Sequence, residues 1–258
     1  MSNFKLIGKT AIVTGGAGGL GLPMARAYAE AGANVVVTSR NAENIQKVAD
    51  EINDKGQKAI AIPVDITSED QLDELISRTV EAFGSVDVIV NNAGRWGKSQ
   101  KAEDTPLDDW NHIVELNLTG CFLVCMAAGR QMIKQGGGKI INVSSVAGSK
   151  GNPNQLHYSA AKAGVLSLTN NLAMMWAKYN INVNCILPGL IATEELKGYN
   201  FIPPAVDKEG NPVPRLDLPP NPEDVANLAL FLASPASDSI TGELIPIRSW
   251  LKLDRFWQ

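Results

Sequence analysis

Short runs of Val and Ile alternate with longer, helix-patterned stretches along most of the chain, and this alternation constrains the fold more than any other feature. Residues 10–14, 34–38, 59–62, 86–90, 139–143 and 181–187 read as strands, with a further apolar run at 243–247. Polar and apolar residues barely alternate within these runs, so both faces of each strand are expected to be buried. Residues 20–31, 42–55, 68–83, 106–134, 158–179 and 222–232 read as helices. Gly56 and Gly84 stop two of them, and Ser68 is a candidate N-cap. Strand–helix–strand units pack as right-handed crossovers between parallel strands. The expected fold is therefore α/β: a doubly wound parallel sheet in a three-layer αβα sandwich.

Composition removes several classes. A chain of 258 residues, 45% of them hydrophobic, suits one domain over 1–258 with a full core. Charged residues at 19% exclude disorder as a global description. Twenty-three basic against 27 acidic side chains leave a net charge of −4, which disfavours nucleic acid as a partner. No apolar run reaches ~18 residues, so no membrane partner is expected. Residues 1–9 lack the apolar centre of a secretory signal. Three cysteines, Cys121, Cys125 and Cys185, make neither a disulfide framework nor a zinc site. They are read as buried small hydrophobes, and the expected location is cytoplasmic.

Two segments stand apart. Of 14 prolines, Pro203, Pro204, Pro212, Pro214, Pro219, Pro220 and Pro222 fall within twenty residues. Such a stretch cannot form a long helix. It is read as a substrate lid at about 190–221, anchored by Tyr199, Phe201 and Ile202. At the other extreme, Gly15, Gly16, Gly18, Gly19 and Gly21 sit between the first strand and the first helix. Glycines allow a sharp turn and a close backbone approach, and the helix start offers N–H groups to a pyrophosphate. Gly15, Gly18, Gly19, Leu20 and Gly21 are thus candidate dinucleotide contacts. The second strand ends in Ser39-Arg40, where an acidic residue would select the ribose hydroxyl of NAD(H). A hydroxyl and a guanidinium suit a 2′-phosphate, so NADP(H) is expected to be preferred, with NAD(H) as the alternative.

Tyr158 and Lys162 stand four residues apart, hence on one helix face. A free phenol titrates near 10, and a neighbouring cation favours its ionised form. Ser145 lies just past the fifth strand and Asn92-Ala93-Gly94 past the fourth, at the edge where an open α/β sheet binds ligands. Asn117 falls in the helix between them.

With these motifs in hand, the chain resembles the short-chain dehydrogenase/reductase family, in its members of about 250 residues. The shared pattern is Thr14-Gly-x-x-x-Gly-x-Gly21, Asn91-Asn-Ala-Gly94, Asn117, Ser145, Tyr158-x-x-x-Lys162 and Pro188-Gly189 with Ile191 and Thr193. The resemblance implies a Rossmann-type fold and an NAD(P)-dependent interconversion of a ketone or aldehyde with a secondary alcohol. Tyr158 would be the acid/base and Lys162 its cationic neighbour, also bonding the nicotinamide ribose. Ser145 would hold the substrate oxygen, and Asn117 a water chain. Asp65 and Ile66 would flank adenine. Asn92, Ala93 and Gly94 would lie near the cofactor backbone, and Pro188, Gly189, Ile191 and Thr193 would border the nicotinamide.

A homodimer or homotetramer acting on a small-molecule substrate is implied. Trp96 is a candidate pocket wall, with a core position as its alternative. Trp110 and Trp176 are read as core, and His112 and His157 as ordinary polar positions with no metal. A non-catalytic NADP(H)-binding regulator, an NAD-dependent polyol or sugar dehydrogenase, and an epimerase or dehydratase are the competing readings. The ending departs from the family's usual form: Pro246 suggests an edge strand. Trp250, Phe256 and Trp257 then need cover, from a second subunit or from the lid.

Overall fold

The computed structural model describes residues 4–198 and 202–250. Seven strands form one sheet: β1 Thr10–Thr14, β2 Asn34–Ser39, β3 Ala59–Pro63, β4 Val88–Asn91, β5 Gly138–Val143, β6 Ile181–Pro188 and β7 Leu244–Ile247. Their order is β3-β2-β1-β4-β5-β6-β7 and every pair is parallel. The order reverses direction between β1 and β4, which opens a crevice at their C-terminal ends.

The larger helices are α1 Gly21–Glu30, α2 Ala42–Asp54, α3 Glu69–Phe83, α4 Leu107–Val114, α5 Gly120–Gln135, α6 Val146–Lys150, α7 Leu156–Trp176, α8 Glu194–Gly198 and α9 Pro222–Ala233. Successive strand residues feed opposite cores. Val13, Val35, Val37, Val88 and Val90 pack with α1, α2 and α9. Ile12, Val36, Ile89 and Ile140 pack with α3, α5 and α7. Period-two alternation with apolar residues at every position produces the three layers.

Proline marks both margins. Pro63 ends β3 and Pro246 lies in β7, the two edge strands, where a missing N–H leaves no inner ladder broken. The stretch expected as one helix at 106–134 is instead α4 and α5 joined by a π-turn, Glu115–Thr119. By length and composition alone this stretch, Leu107–Gln135, is the one among the described residues that could cross a membrane, but half of its apolar window is buried inside the protein. Its buried residues Cys121, Val124, Cys125, Ala128 and Met132 belong to the sheet-facing core. Ser68 stands at the N-cap of α3, but its side chain caps nothing; Glu69 and Asp70 meet the helix dipole instead.

The proline-rich stretch holds no long helix. It carries a bridge between Val206 and Pro212 and a single turn at Arg215–Asp217. Ala192 N–H donates to Pro220 O at 2.8 Å, which closes the stretch on itself. Ile202 is half-buried, while Tyr199 and Phe201 lie outside the described residues, as do Phe256 and Trp257.

Candidate active site

The loop after β1 is shaped by what its glycines permit. Gly15 and Gly19 have φ of 64° and 51°. A Cβ on Gly21 would fall 2.2 Å from the Gly15 carbonyl oxygen, so only glycine lets α1 start there. A Cβ on Gly18 or Gly19 would meet nothing within 4 Å, which leaves an open cradle beside the helix start. Leu20 at the N-cap makes no side-chain cap, and the first turn carries no acid. The Gly21 and Leu22 N–H groups bond Gly18 O and Pro23 has none, so what α1 turns to the open cradle is its dipole and the Gly18-Gly19-Leu20 backbone; these residues fit a dinucleotide pyrophosphate.

Thr14 fastens this loop to its neighbour, a role the motif did not reveal. Its hydroxyl donates to Val90 O at 3.1 Å and accepts from the N–H of Asn92 (2.9 Å) and of Ala93 (3.0 Å). Asn92 Nδ2 returns a bond to Thr14 O at 3.0 Å. The β1 and β4 ends are thus locked together under the crevice.

At the outer end, Arg40 is exposed and has no ion-pair partner among the described residues. Ser39 Oγ is turned to its own loop, accepting from Asn41 N–H at 3.3 Å. The N–H and hydroxyl of Thr67 hold the Asp65 carboxyl below its usual range, with a smaller contribution from Arg40. Ile66 is buried against the second core, so its side chain is committed to packing. Ile191 is likewise buried, and Thr193 Oγ1 accepts from Leu196 N–H at 3.4 Å at the start of α8.

The catalytic candidates converge on the same edge. Lys162 is buried, yet its Nζ donates to Val143 O at 2.9 Å and lies 5.7 Å from the Tyr158 ring centroid. Ser144 Oγ donates to Lys162 O at 2.8 Å, clamping α7 to the end of β5. Tyr158 is half-buried at the open side. Ser145 N-caps α6, accepting from Ala147 N–H at 3.1 Å, and its Oγ is 3.5 Å from Pro188 O.

Asn117 lies in the π-turn, whose extra residue aims it inward. Its Nδ2 donates to Arg95 O and Ile113 O, both at 2.9 Å, and its Oδ1 accepts from Arg95 N–H at 3.2 Å. Around Gly94 the pieces meet: a Cβ there would lie 2.6 Å from Asn117 Oδ1 and 3.4 Å from Lys162 Nζ.

Two readings need correction. His157 is no ordinary polar position: it is fully buried, and neither ring nitrogen has a partner. It packs where Gly97 lacks a side chain, since a Cβ there would be 2.2 Å from His157 Nε2. The cysteines are buried as expected, but not as plain hydrophobes. Cys125 Sγ accepts from Asn91 Nδ2 at 3.1 Å, and Asn91 also bonds Asn142, which bonds Thr169. Burial pushes the Cys185 thiol up to about 12. Trp96 is 43% exposed and so is not core, whereas Trp176 is buried and Trp110 half-buried. His112 is exposed. Among the described residues no group of three His, Cys, Asp or Glu side chains is placed to hold a metal.

A parallel seven-stranded sheet with a glycine cradle and a Tyr–Lys–Ser–Asn edge defines a nucleotide-dependent oxidoreductase architecture. The family model described as short chain dehydrogenase matches residues 9–200, and the chain belongs to the short-chain dehydrogenase/reductase family. It is 38% identical over 248 residues to the 7alpha-hydroxysteroid dehydrogenase of Escherichia coli (strain K12), covering 95% of this chain and 94% of that protein. It is 40% identical over 242 residues to the NAD-dependent glycerol dehydrogenase of Listeria innocua serovar 6a, with 93% and 92% covered. A solved short-chain type dehydrogenase/reductase from Mycobacterium marinum superposes with a TM-score of 0.85 at 39% identity, over 95% of this chain and 96% of that one.

Proposed function

We propose that the chain interconverts a ketone or aldehyde with a secondary alcohol, using NADP(H) in preference to NAD(H), with Tyr158 as the acid/base. The observation that carries this reading is the buried Lys162 ammonium, held by a backbone carbonyl beside the Tyr158 ring. A cation at 5% exposure is costly unless function or pairing keeps it, and Lys162 has no ion-pair partner among the described residues.

When bound, the dinucleotide supplies the hydride for reduction or takes it in oxidation. In reduction, Tyr158 gives its proton to the carbonyl oxygen as negative charge grows there. Ser145 Oγ offers a second hydrogen bond; its 3.5 Å contact with Pro188 O is weak enough to yield. Lys162 sets a positive charge behind Tyr158. Asn117, through Arg95 and the π-turn, fixes the wall beside Lys162 and leads toward solvent.

Arg40 supports the NADP(H) preference as the exposed cation at the expected ribose end, with Ser39 as its lesser partner. The kinship with an NAD-dependent glycerol dehydrogenase keeps NAD(H)-linked polyol oxidation as the second reading. The 190–221 stretch serves as the lid and Trp96 as a pocket wall. Exposed Phe122, Met174 and Met175 on α5 and α7 support a homodimer or homotetramer, and the three free cysteines support the cytoplasm as its location.

The test is a panel of ketones and alcohols, sugars included, run with all four dinucleotides and followed by nicotinamide absorbance. Turnover with NADPH exceeding that with NADH is expected. Tight dinucleotide binding with no turnover across the panel would favour a regulator.

A further inference from the structure

Three neighbouring parallel strands deliver the residues just past their ends to one edge. Ser145 is the second residue after β5, Gly189 the first after β6 and Arg248 the first after β7. Ser145 and Arg248 are thus two strand spacings apart, about 10 Å. Gly189 makes room for the arginine: a Cβ there would lie 2.6 Å from Arg248 Cβ. The half-buried guanidinium then stacks on Trp250, its Cζ 4.1 Å from the ring centroid. Lys150, at the end of the helix that Ser145 caps, brings its Nζ to 5.7 Å from the same ring. Trp250 is held in turn by its N–H bond to Leu216 O in the proline-rich stretch.

Two cations therefore share one aromatic ring at the substrate edge of a net acidic protein. Among the described residues neither has a carboxylate partner, and neither head group makes a hydrogen bond to protein. The carboxylate nearest along the chain to this contact, Asp217, has an interaction of its own. Like charges gathered without a counter-ion attract an anion, and a guanidinium fork matches the two oxygens of a carboxylate.

We propose that Arg248 and Lys150, carried on Trp250, form a carboxylate subsite, so that the substrate is an oxo or hydroxy acid with its two functional groups several carbons apart. The reacting carbonyl lies at Ser145 and Tyr158, and the carboxylate is held at the β7 end. This rests on the oxidoreductase reading above.

The experiment compares a length series of methyl-ketone acids, from 5-oxohexanoate to 9-oxodecanoate, with their methyl esters, under saturating NADPH. At one length the wild-type chain is expected to prefer the acid, through KM, by at least tenfold in kcat/KM. Arg248→Gln should lower that acid-to-ester ratio on the order of tenfold, and Lys150→Gln should lower it by less. A purely structural lesion would depress acid and ester alike and leave the ratio standing. Calorimetry of octanoate binding to the NADPH-loaded protein gives a readout free of turnover, and Arg248→Gln should weaken it by a similar factor. An ester preference at every length, or an acid preference untouched in both variants, overturns the subsite. Octanoate binding that depends on Arg248, with no ketone reduced, would uphold the subsite and remove the oxidoreductase reading instead.

Discussion

The two walls of the crevice are built by different means. The dinucleotide wall is main chain cross-tied by several side-chain bonds between neighbouring strand ends. Thr14 and Asn92 tie β1 to β4, and Gly21 lets α1 begin against Gly15. The substrate wall is assembled from loops joined by single bonds. Gln100 N–H reaches Asn154 O, Ala192 reaches Pro220 and Trp250 reaches Leu216. Backbone-made surfaces tolerate little change in sequence, whereas loop-made ones are free to vary in what they grip. One fold can thus keep its cofactor chemistry while changing its substrate.

That contrast can be broken at its seam. Tyr158→Phe should leave dinucleotide affinity within a few-fold, by fluorescence titration, while turnover falls about 10²–10⁴-fold. Equal losses in both would mean that the two walls are not separable.

Next in size, Gly97→Ala drives a methyl into His157 and should cost about 1–3 kcal/mol in thermal unfolding. Its kinetic signature should be a raised KM for the carbonyl substrate with an unchanged Kd for NADPH. Adding His157→Ala should recover much of the loss, and additive losses would show that the contact is not the cause.

Arg40→Ala should reduce the NADPH over NADH preference on the order of tenfold, with turnover on saturating cofactor kept. A preference that survives would move 2′-phosphate selection elsewhere on the rigid wall.

The smallest effect belongs to the far edge of the sheet, remote from both walls. Burial raises the Asp87 carboxyl, but hydrogen bonds from Ser85, Lys9 and the Thr10 N–H outweigh it and hold the group below its ordinary 3.8. A depressed carboxylate stabilises the fold above its unfolded value and loses that contribution as pH falls through the folded one. Asp87→Asn should therefore destabilise by about 1 kcal/mol at neutral pH, converge with the wild type below the folded value, and leave KM unmoved.

Much of this was readable from residue order alone. Unalternating Val and Ile runs specify strands buried on both faces, as in β1, β2, β4 and β5; the edge strands β3 and β7 are covered less. The motif residues also fall on one edge because parallel strands all point their C-termini the same way. What escaped reading depends on contacts distant in sequence. Nothing local says that His157 will face Gly97, sixty residues away, and be sealed without a partner. The π-turn escaped because Glu115-Leu-Asn-Leu-Thr119 has ordinary helical composition; only the inward aim of Asn117 could have suggested it. The small helices α6 and α8 were too short to show a period. Thr14 passed as part of a loop signature because its hydroxyl works across strands.

The π-turn also fixes a count. Between Val114 and Gly120 the spiral carries one residue more than a plain helix would need. Deleting one residue there would let α4 and α5 merge into an unbroken rod. The flanks would keep their register, because the bulge takes up the extra residue, but Asn117 would lose the local geometry that aims its amide at the Arg95 peptide. For Asn117 to hold the Arg95 peptide, this stretch must keep its length to the residue.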